Sequence, residues 1–277
     1  MPVEFTKMHG LGNDFIVINA LERQFELSSA EISRLAHRRT GIGFDQLLIV
    51  EPPNGEGADF TYRIFNADGG EVENCGNGAR CFARYVTERG LTDKKDITVS
   101  TSGGLMELTV LDHSSVLVRM GIPLFEPDVV PFEAPAVSTS YDLDVGGEQL
   151  EVGVVSVGNP HAVTQVKDVQ RAEVERLGQL IESHERFPNR VNAGFMQIES
   201  RTEIALRVYE RGVGETMACG TGACAAVVVG IVQGLLDRQV NVQLAGGDLQ
   251  VRWMDNSAQI EMIGPSETVF ELSLIHI

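Results

Sequence analysis

Short runs of apolar, β-branched and aromatic residues, separated by polar or glycine-containing turns, dominate this chain. Runs of this length and composition are typical of β-strands. They are, in the first half, FIVINA, LLIVE, DFTYRIFN, ITVST, MELTVL and SVLVRM, and in the second half EVGVVSV, AGFMQI, IALRVYE, VNVQL and LQVRW. The pattern therefore predicts a chain rich in β-sheet.

Four other stretches predict helices. Residues 28–40 and 168–185 carry apolar side chains at helical spacing. The other two stretches begin in the motifs CGNGARC and CGTGACAA. The second of these is apolar on nearly every side over residues 222–236, and such a helix must be buried all round. We therefore expect each half of the chain to form a curved sheet around a central helix.

The two cysteine motifs belong to an internal repeat. Residues 63–91 align without a gap onto residues 207–235. The coinciding residues include Arg63/Arg207, Gly70/Gly214, Glu71/Glu215, Cys75/Cys219, Gly76/Gly220, Gly78/Gly222 and Gly90/Gly234. Upstream, Asn13 aligns with Asn159, and Gln46 with Asn192. A repeating unit of this length is a domain rather than a solenoid repeat.

The predicted boundary lies in residues 121–137, where four prolines at intervals break any continuous helix or central strand. We predict a first domain over residues 1–120, completed by residues 265–277, and a second domain over residues 121–264. The predicted fold class is α/β (α+β): two pseudo-symmetric domains, each a curved, mostly antiparallel sheet wrapped around a central helix.

Composition and charge narrow the function classes. The 277 residues carry a formal charge of −17, which repels nucleic acids and anionic lipid. No apolar stretch is long enough to span a membrane, and the start has no signal peptide, so we expect a cytoplasmic protein. Four cysteines in a chain of this size do not make a disulfide scaffold, so we expect reduced thiols. The spacings C-x5-C and C-x4-C argue against a structural metal site.

Each motif cysteine is expected at the N-terminus of a helix. The positive end of the helix dipole favours thiolate over thiol, and the glycines allow a ligand to approach the backbone. Two such thiols facing each other across a pseudo-twofold axis could remove a proton from one face of an α-carbon and return it on the other. That reaction inverts a stereocentre.

The motifs MHGLGNDF, GFDQLL, FNADGGEVENCGNGARC, GNPHAV, ERFPNRVNAGFM and YERGVGETMACGTGACAA resemble those of the diaminopimelate epimerase family, in order from residue 1 to about residue 265. The resemblance implies the two-domain fold and an isomerase that is independent of pyridoxal phosphate and needs no cofactor or metal. It implies interconversion of LL- and meso-2,6-diaminopimelate for lysine and peptidoglycan synthesis, and a homodimer.

The resemblance also implies residue roles. The acid/base thiols are Cys75 and Cys219, and the residues that modulate thiol pKa are His161 and Glu210. The remaining substrate-binding residues fall into two groups: Gly76, Asn77, Gly220 and Thr221 for the reacting carboxylate, and Asn13, Gln46, Asn66, Asn159, Asn192 and Arg211, with Glu210, for the rest of the substrate. Thr221 stands where the family often has serine, which keeps the hydroxyl.

Other interpretations remain open at this point. Cys81 and Cys224 lie within their helices and are expected to fill the core. Proline racemases and phenazine-pathway isomerases share the architecture, but the former usually place histidine where this chain has Asn77, and the latter lack the paired cysteines. A thiol redox or metal-binding protein is the alternative from another class, although the C-x-x-C spacing that such proteins favour is absent.

Overall fold

The computed structural model describes residues 3–73 and 75–274. The chain forms two compact units, one of Met1–Arg119 with Ile263–Ile277 and the other of Met120–Met262. Strand β17 (Glu261–Pro265) contains the point where the chain leaves the second unit for the first.

The first unit contains two helices and most of its strands before residue 120. The helices are α1 (Ser29–Ala36) and α2 (Gly76–Glu88). The strands are β1 (Val3–Gly10), β2 (Asn13–Asn19), β3 (Gln46–Glu51), β4 (Phe60–Asn66), β5 (Glu71–Val72), β6 (Asp96–Thr101), β7 (Gly104–Val110), β8 (Ser115–Arg119) and, from the C-terminal segment, β18 (Glu267–Leu274).

The second unit has the same arrangement of elements. Its helices are α3 (Val174–Glu182) and α4 (Gly220–Val232). Its strands are β9 (Tyr141–Val145), β10 (Glu148–Ser156), β11 (Pro160–Gln165), β12 (Asn192–Ser200), β13 (Glu203–Glu210), β14 (Gly214–Thr216), β15 (Gln239–Leu244) and β16 (Gly247–Arg252).

Strand pairing within each unit follows one scheme. In the first unit β18–β1 and β1–β2 are antiparallel, β2–β3 is parallel, β3–β4 and β4–β5 are antiparallel, β4–β6 is parallel and β6–β7 is antiparallel. In the second unit the succession β9, β10, β11, β12, β13, β14, β15, β16 repeats these directions pair by pair. The predicted pseudo-symmetric α/β fold, with a mostly antiparallel sheet in each half, is confirmed.

The helix after each cysteine motif is the centre of its unit. Helix α4 packs against β10–β13 and β16, and all residues from Gly222 to Gly230 are buried. Helix α2 packs against β1–β3, β7 and β8, with Phe82 fully buried beside Phe60 and Tyr62. The prediction that an all-apolar helix is buried all round is confirmed for α4.

The contact between α4 and its sheet is so close that one strand position must be glycine. A Cβ atom at Gly153 in β10 would lie 2.3 Å from Cγ1 of Val229, which is on the helix. We expect Gly153→Ala to lower the free energy of unfolding by about 1–3 kcal/mol, because the buried helix has no room to retreat.

Urea unfolding followed by circular dichroism measures this change. Gly194→Ala, in β12 of the same sheet, is the matched control, because its new Cβ would find no atom closer than 3.4 Å. Equal losses in the two variants would contradict a steric origin.

Candidate active site

The first cysteine site is the set of Cys75, Gly76 and Asn77 with Asn13, Gln46 and Asn66. Cys75 is the N-cap of α2 and has extended backbone angles. The Cys75 Sγ lies 3.8 Å from Oδ1 of Asn13, the first residue of β2, and Nδ2 of Asn77 donates to the same oxygen at 3.3 Å. The first unit thus brings the start of α2 against the start of β2.

Gln46 and Asn66 are paired across β3 and β4. Nε2 of Gln46 donates to Oδ1 of Asn66 at 2.8 Å. Oε1 of Gln46 is buried and has no hydrogen-bond partner within the described chain. A buried acceptor without a donor is costly unless a ligand satisfies it, so this carbonyl is a candidate contact for a ligand ammonium group.

The second cysteine site is the set of Cys219, Gly220 and Thr221 with Asn159, His161, Asn192, Glu210 and Arg211. Cys219 is the N-cap of α4, and its sulfur accepts from the Gly222 N–H at 3.4 Å. The Thr221 hydroxyl lies 3.5 Å from the same sulfur. All of these contacts lie within the second unit.

Glu210 approaches Cys219 from the end of β13. Its Oε1 accepts a hydrogen bond of 2.5 Å from the Thr216 hydroxyl on the paired strand β14. Burial raises the pKa of the Cys219 thiol well above its ordinary value, and the negative charge of Glu210 raises it further, whereas the contacts with Thr221 and Gly222 lower it. At Cys219, burial and Glu210 therefore oppose the lowering of the thiol pKa that a helix N-terminus favours.

Asn192 connects His161 to Arg211. Asn192 lies beside His161 in the parallel pair of β11 and β12, and its Oδ1 accepts the Arg211 N–H at 2.9 Å. His161 is fully buried, with Nε2 2.9 Å from Oδ1 of Asn159 and with no partner for Nδ1 in the described chain. The Arg211 side chain is exposed and donates to the carbonyl of Asn189 at 3.2 Å.

Comparison with known proteins identifies the family of this chain. The family model described as diaminopimelate epimerase matches residues 5–125 and 153–269. The chain belongs to the diaminopimelate epimerase family. It is 57% identical to the diaminopimelate epimerase of Thioalkalivibrio sulfidiphilus (strain HL-EbGR7), over 99% of both chains, and 57% identical to that of Laribacter hongkongensis (strain HLHK9), over 98% of both.

Solved structures with low sequence identity share the fold. The phenazine biosynthesis protein of the PhzF family from Bacillus anthracis superposes with a TM-score of 0.71 at 20% identity, covering 100% of both chains. A hydroxyproline epimerase from Agrobacterium vitis superposes with a TM-score of 0.70 at 13% identity, covering 99% of this chain and 92% of the other. These two matches concern the fold alone.

The structure adds residues to the first cysteine site that the sequence analysis missed. The Tyr62 hydroxyl donates to the Cys75 carbonyl at 3.3 Å, and burial raises its pKa well above the ordinary value. Asp45 accepts from Nδ2 of Asn13 at 3.1 Å. Arg80 is fully buried and donates to Oδ1 of Asn77 at 2.9 Å. The sequence could have indicated Arg80 only as a charged residue in the first turns of a helix predicted to be central.

Cys81 is separate from this chemistry. Burial raises the pKa of its thiol to about 12. Neither Cys81 nor Cys224 has any exposed surface. Their expected place in the core is confirmed.

Among residues 3–73 and 75–274, no three histidine, cysteine or acidic side chains are grouped so as to hold a metal ion. None of the described helices is long and apolar enough to cross a membrane.

The burial of His161 predicts a pH dependence of stability. Burial, with a smaller effect of the positive charge of Arg211, lowers the pKa of His161 to about 3. The folded value is below the unfolded value of about 6.5, so below pH 6.5 the unfolded chain binds a proton that the folded protein does not. The free energy of unfolding is therefore highest above pH 6.5 and falls as the pH is lowered towards 3. Each pH unit in that window costs up to about 1.4 kcal/mol of the free energy of unfolding.

Urea unfolding between pH 6.5 and pH 4.5 tests this assignment. His161→Gln has no group that titrates in this window, so its stability should fall less steeply than that of the wild type. The exposed His113→Gln is the matched control and should keep the wild-type slope. Parallel slopes for His161→Gln and the wild type would contradict a buried, neutral imidazole.

Proposed function

We propose that the chain is a diaminopimelate epimerase that interconverts LL- and meso-2,6-diaminopimelate without a cofactor. The observation that carries this proposal is the duplicated cysteine site: each of two similarly folded units presents one cysteine at the N-terminus of its central helix. Such a pair of thiols could invert several amino acids, and family membership favours diaminopimelate as the substrate.

The proposed reaction is a proton transfer between two bases. Cys75 and Cys219 take opposite faces of the substrate α-carbon. One, as thiolate, removes the α-proton, and the other, as thiol, donates its proton to the opposite face. Burial and the neighbouring Glu210 raise the pKa of Cys219, so we propose that Cys219 starts the cycle as the thiol. The thiols exchange roles when the reaction runs in reverse.

The negative charge that develops on the substrate must be stabilised where it accumulates, on the reacting carboxylate. The first N–H groups of a helix have no acceptor within the helix and carry the positive end of its dipole. In α2 and α4 the first intrahelical bonds run from Ala79 to Cys75 and from Ala223 to Cys219. We propose that the N–H groups at the two helix starts bind this carboxylate, because the positive end of each helix dipole lies there: those of Gly76, Asn77, Gly220 and Thr221.

Glu210 and His161 adjust the proton transfers in this proposal. The Glu210 carboxylate is a neighbouring negative charge that keeps the proton on Cys219 until substrate is bound. His161 is neutral at pH 7 because its pKa is about 3. The buried Nδ1 of this neutral imidazole has no partner in the described chain, so it can form a hydrogen bond with the substrate without adding charge to the site.

The end of the substrate that does not react is also a zwitterion. Its carboxylate requires a planar donor pair, which Arg211 supplies, and its ammonium requires acceptors, which the carboxylate of Glu210 and the amides of Gln46, Asn66, Asn159 and Asn192 supply. Asn13, whose Oδ1 faces Asn77 and Cys75, is proposed to contact the substrate as a donor, through Nδ2. These residues are proposed to select diaminopimelate over shorter amino acids.

We further propose a cytoplasmic homodimer. Strand β18 leaves Val269, Phe270 and Leu272 exposed by 54%, 40% and 58%. Large apolar side chains left exposed on a strand are typical of an interface with another copy of the chain. A biosynthetic enzyme acting on a free amino acid is expected in the cytoplasm.

Proton exchange at the α-carbon of LL-diaminopimelate in deuterated water tests the proposed function. Cys75→Ser and Cys219→Ser should each lower epimerisation by about 10²–10⁴-fold or more, because a hydroxyl is too weak an acid to replace the thiol. Cys81→Ala and Cys224→Ala are matched controls from the core and should keep most of the activity.

The single serine variants should remain distinguishable from each other. Each retains the base for one face of the α-carbon, so each should eliminate a leaving group from a β-substituted analogue of one configuration only, and the two preferences should be opposite. Loss of epimerisation in the core-cysteine variants, or its survival in the serine variants, would contradict the two-thiol mechanism.

Arg211→Lys tests recognition of the carboxylate that does not react. Lysine keeps the charge but loses the planar fork, so kcat/KM should fall about tenfold or more, equivalent to ~1.4 kcal/mol. Arg201→Lys is a matched control, because Arg201 forms an exposed ion pair with Asp237. A kcat/KM for Arg211→Lys equal to that of the control would remove Arg211 from the substrate site.

A further inference from the structure

A fully buried guanidinium lies beside the first cysteine site. Arg80 is on α2, one turn beyond Gly76, and has no exposed surface. Its Nη2 donates to Oδ1 of Asn77 at 2.9 Å, its Nε to the Pro265 carbonyl at 3.0 Å and its Nη1 to the Gly76 carbonyl at 3.4 Å. Burying a charge costs free energy even when it is hydrogen-bonded, so a buried arginine at this position suggests a role in the neighbouring site.

Arg80 stands at one end of a chain of side-chain amides. Nδ2 of Asn77 donates to Oδ1 of Asn13 at 3.3 Å, and Nδ2 of Asn13 donates to Oδ2 of Asp45 at 3.1 Å. The far end is held in turn, because Arg38 donates to the other oxygen of Asp45 at 2.7 Å. The relay therefore runs from Arg80 through Asn77 and Asn13 to Asp45.

The two charged ends fix the direction of every hydrogen bond in this relay. A guanidinium only donates and a carboxylate only accepts. Asn77 must therefore direct its oxygen to Arg80 and its nitrogen to Asn13, and Asn13 must direct its oxygen back towards α2 and its nitrogen to Asp45. Neither amide can turn over without facing a like group at one end.

This direction decides which atom of Asn13 meets Cys75. Oδ1 of Asn13 lies 3.8 Å from the Cys75 sulfur, and a carbonyl oxygen accepts a hydrogen bond from a thiol. We propose that Arg80 is a positioning residue for the epimerase reaction: through Asn77 it holds Asn13 with its oxygen towards Cys75. The inference rests on the proposed function, because it assigns Cys75 an acid/base role.

Arg80 could instead serve only to anchor the C-terminal segment through Pro265. Arg84, one turn further along α2, separates the two roles, because it donates to the carbonyl of the next residue, Ser266, and pairs with Glu88 at 2.7 Å. Arg84→Gln therefore removes an anchor to the same segment without removing a hydrogen bond of the relay.

A double-mutant cycle in kcat/KM for diaminopimelate tests the proposal. Arg80→Gln should lower kcat/KM about tenfold or more, whereas Arg84→Gln should change it about twofold or less. In the Asn77→Ala background, where the relay is already broken, Arg80→Gln should change kcat/KM by no more than about threefold. Thermal melting of each variant reports folding separately.

A second variant leaves Arg80 in place. Asn77→Asp keeps an acceptor for the guanidinium but loses the donor to Asn13, so it should keep the melting temperature and lose activity. If Arg80→Gln does not fold, Arg80→Lys enters the same cycle, because a single ammonium cannot reproduce the directed hydrogen bonds of the guanidinium to Asn77, Pro265 and Gly76.

The outcomes distinguish this inference from the function on which it rests. An inactive wild type refutes the proposed function. An active wild type with equal effects of Arg80→Gln in the presence and absence of the Asn77 side chain refutes the relay, as does full activity of Asn77→Asp. Activity losses in Arg84→Gln as large as those in Arg80→Gln would reduce Arg80 to an anchor.

Discussion

In both units the central helix, α2 or α4, begins against the strands of its own sheet, and the rest of the structure depends on this placement. The first turn of a helix has N–H groups without intrahelical acceptors, and a buried helix start cannot leave them all to bulk water. In α4 the Cys219 sulfur takes one of them, from Gly222. In the proposed function the N–H groups of Gly220 and Thr221 in the same turn bind the substrate carboxylate, so a helix that starts within the sheet also suits an anion.

The small residues of the motif follow from the same placement. A Cβ atom on Gly78 would lie 2.4 Å from the Tyr62 hydroxyl, and one on Gly222 would lie 2.9 Å from Cγ2 of Val208. Side chains at these positions would push the helix start away from its sheet. The glycines that the sequence suggests for ligand access are thus required first for packing.

The helices and the repeat could be predicted from sequence, whereas some strands and the electrostatics could not. The all-apolar pattern of α4 leaves only a buried position, and the capping box of Ser28 and Glu31 defines the start of α1. Strand β1 was not predicted, because its segment VEFTKMHG alternates poorly and contains charges. Strand β11 begins at Pro160, which is permitted at the first position of a strand but reads as a turn.

The candidate site residues were identified by resemblance, but their interactions needed the fold. Aligned positions of the repeat differ in charge: Asn66 corresponds to Glu210, and Arg80 to Cys224. One site therefore has a buried cation in the turn after its cysteine, and the other has a carboxylate next to its sulfur. Sequence spacing places both cysteines at helix starts, where the helix dipole affects them alike. It does not show which charged residues the fold brings close to each sulfur.

The difference bears on how a pair of thiols can move a proton from a carbon acid. Burial and the charge of Glu210 raise the pKa of the Cys219 thiol and so favour its protonated form. A group whose charged form is disfavoured is also a stronger base once it has lost its proton, and a weakly acidic α-proton requires a strong base. In the proposed reaction, the burial that makes Cys219 a poor thiolate at rest therefore makes it an effective base after it has protonated the substrate. The proposed cycle needs one thiol charged at a time, and the burial and the neighbouring carboxylate of Cys219 favour its protonated form.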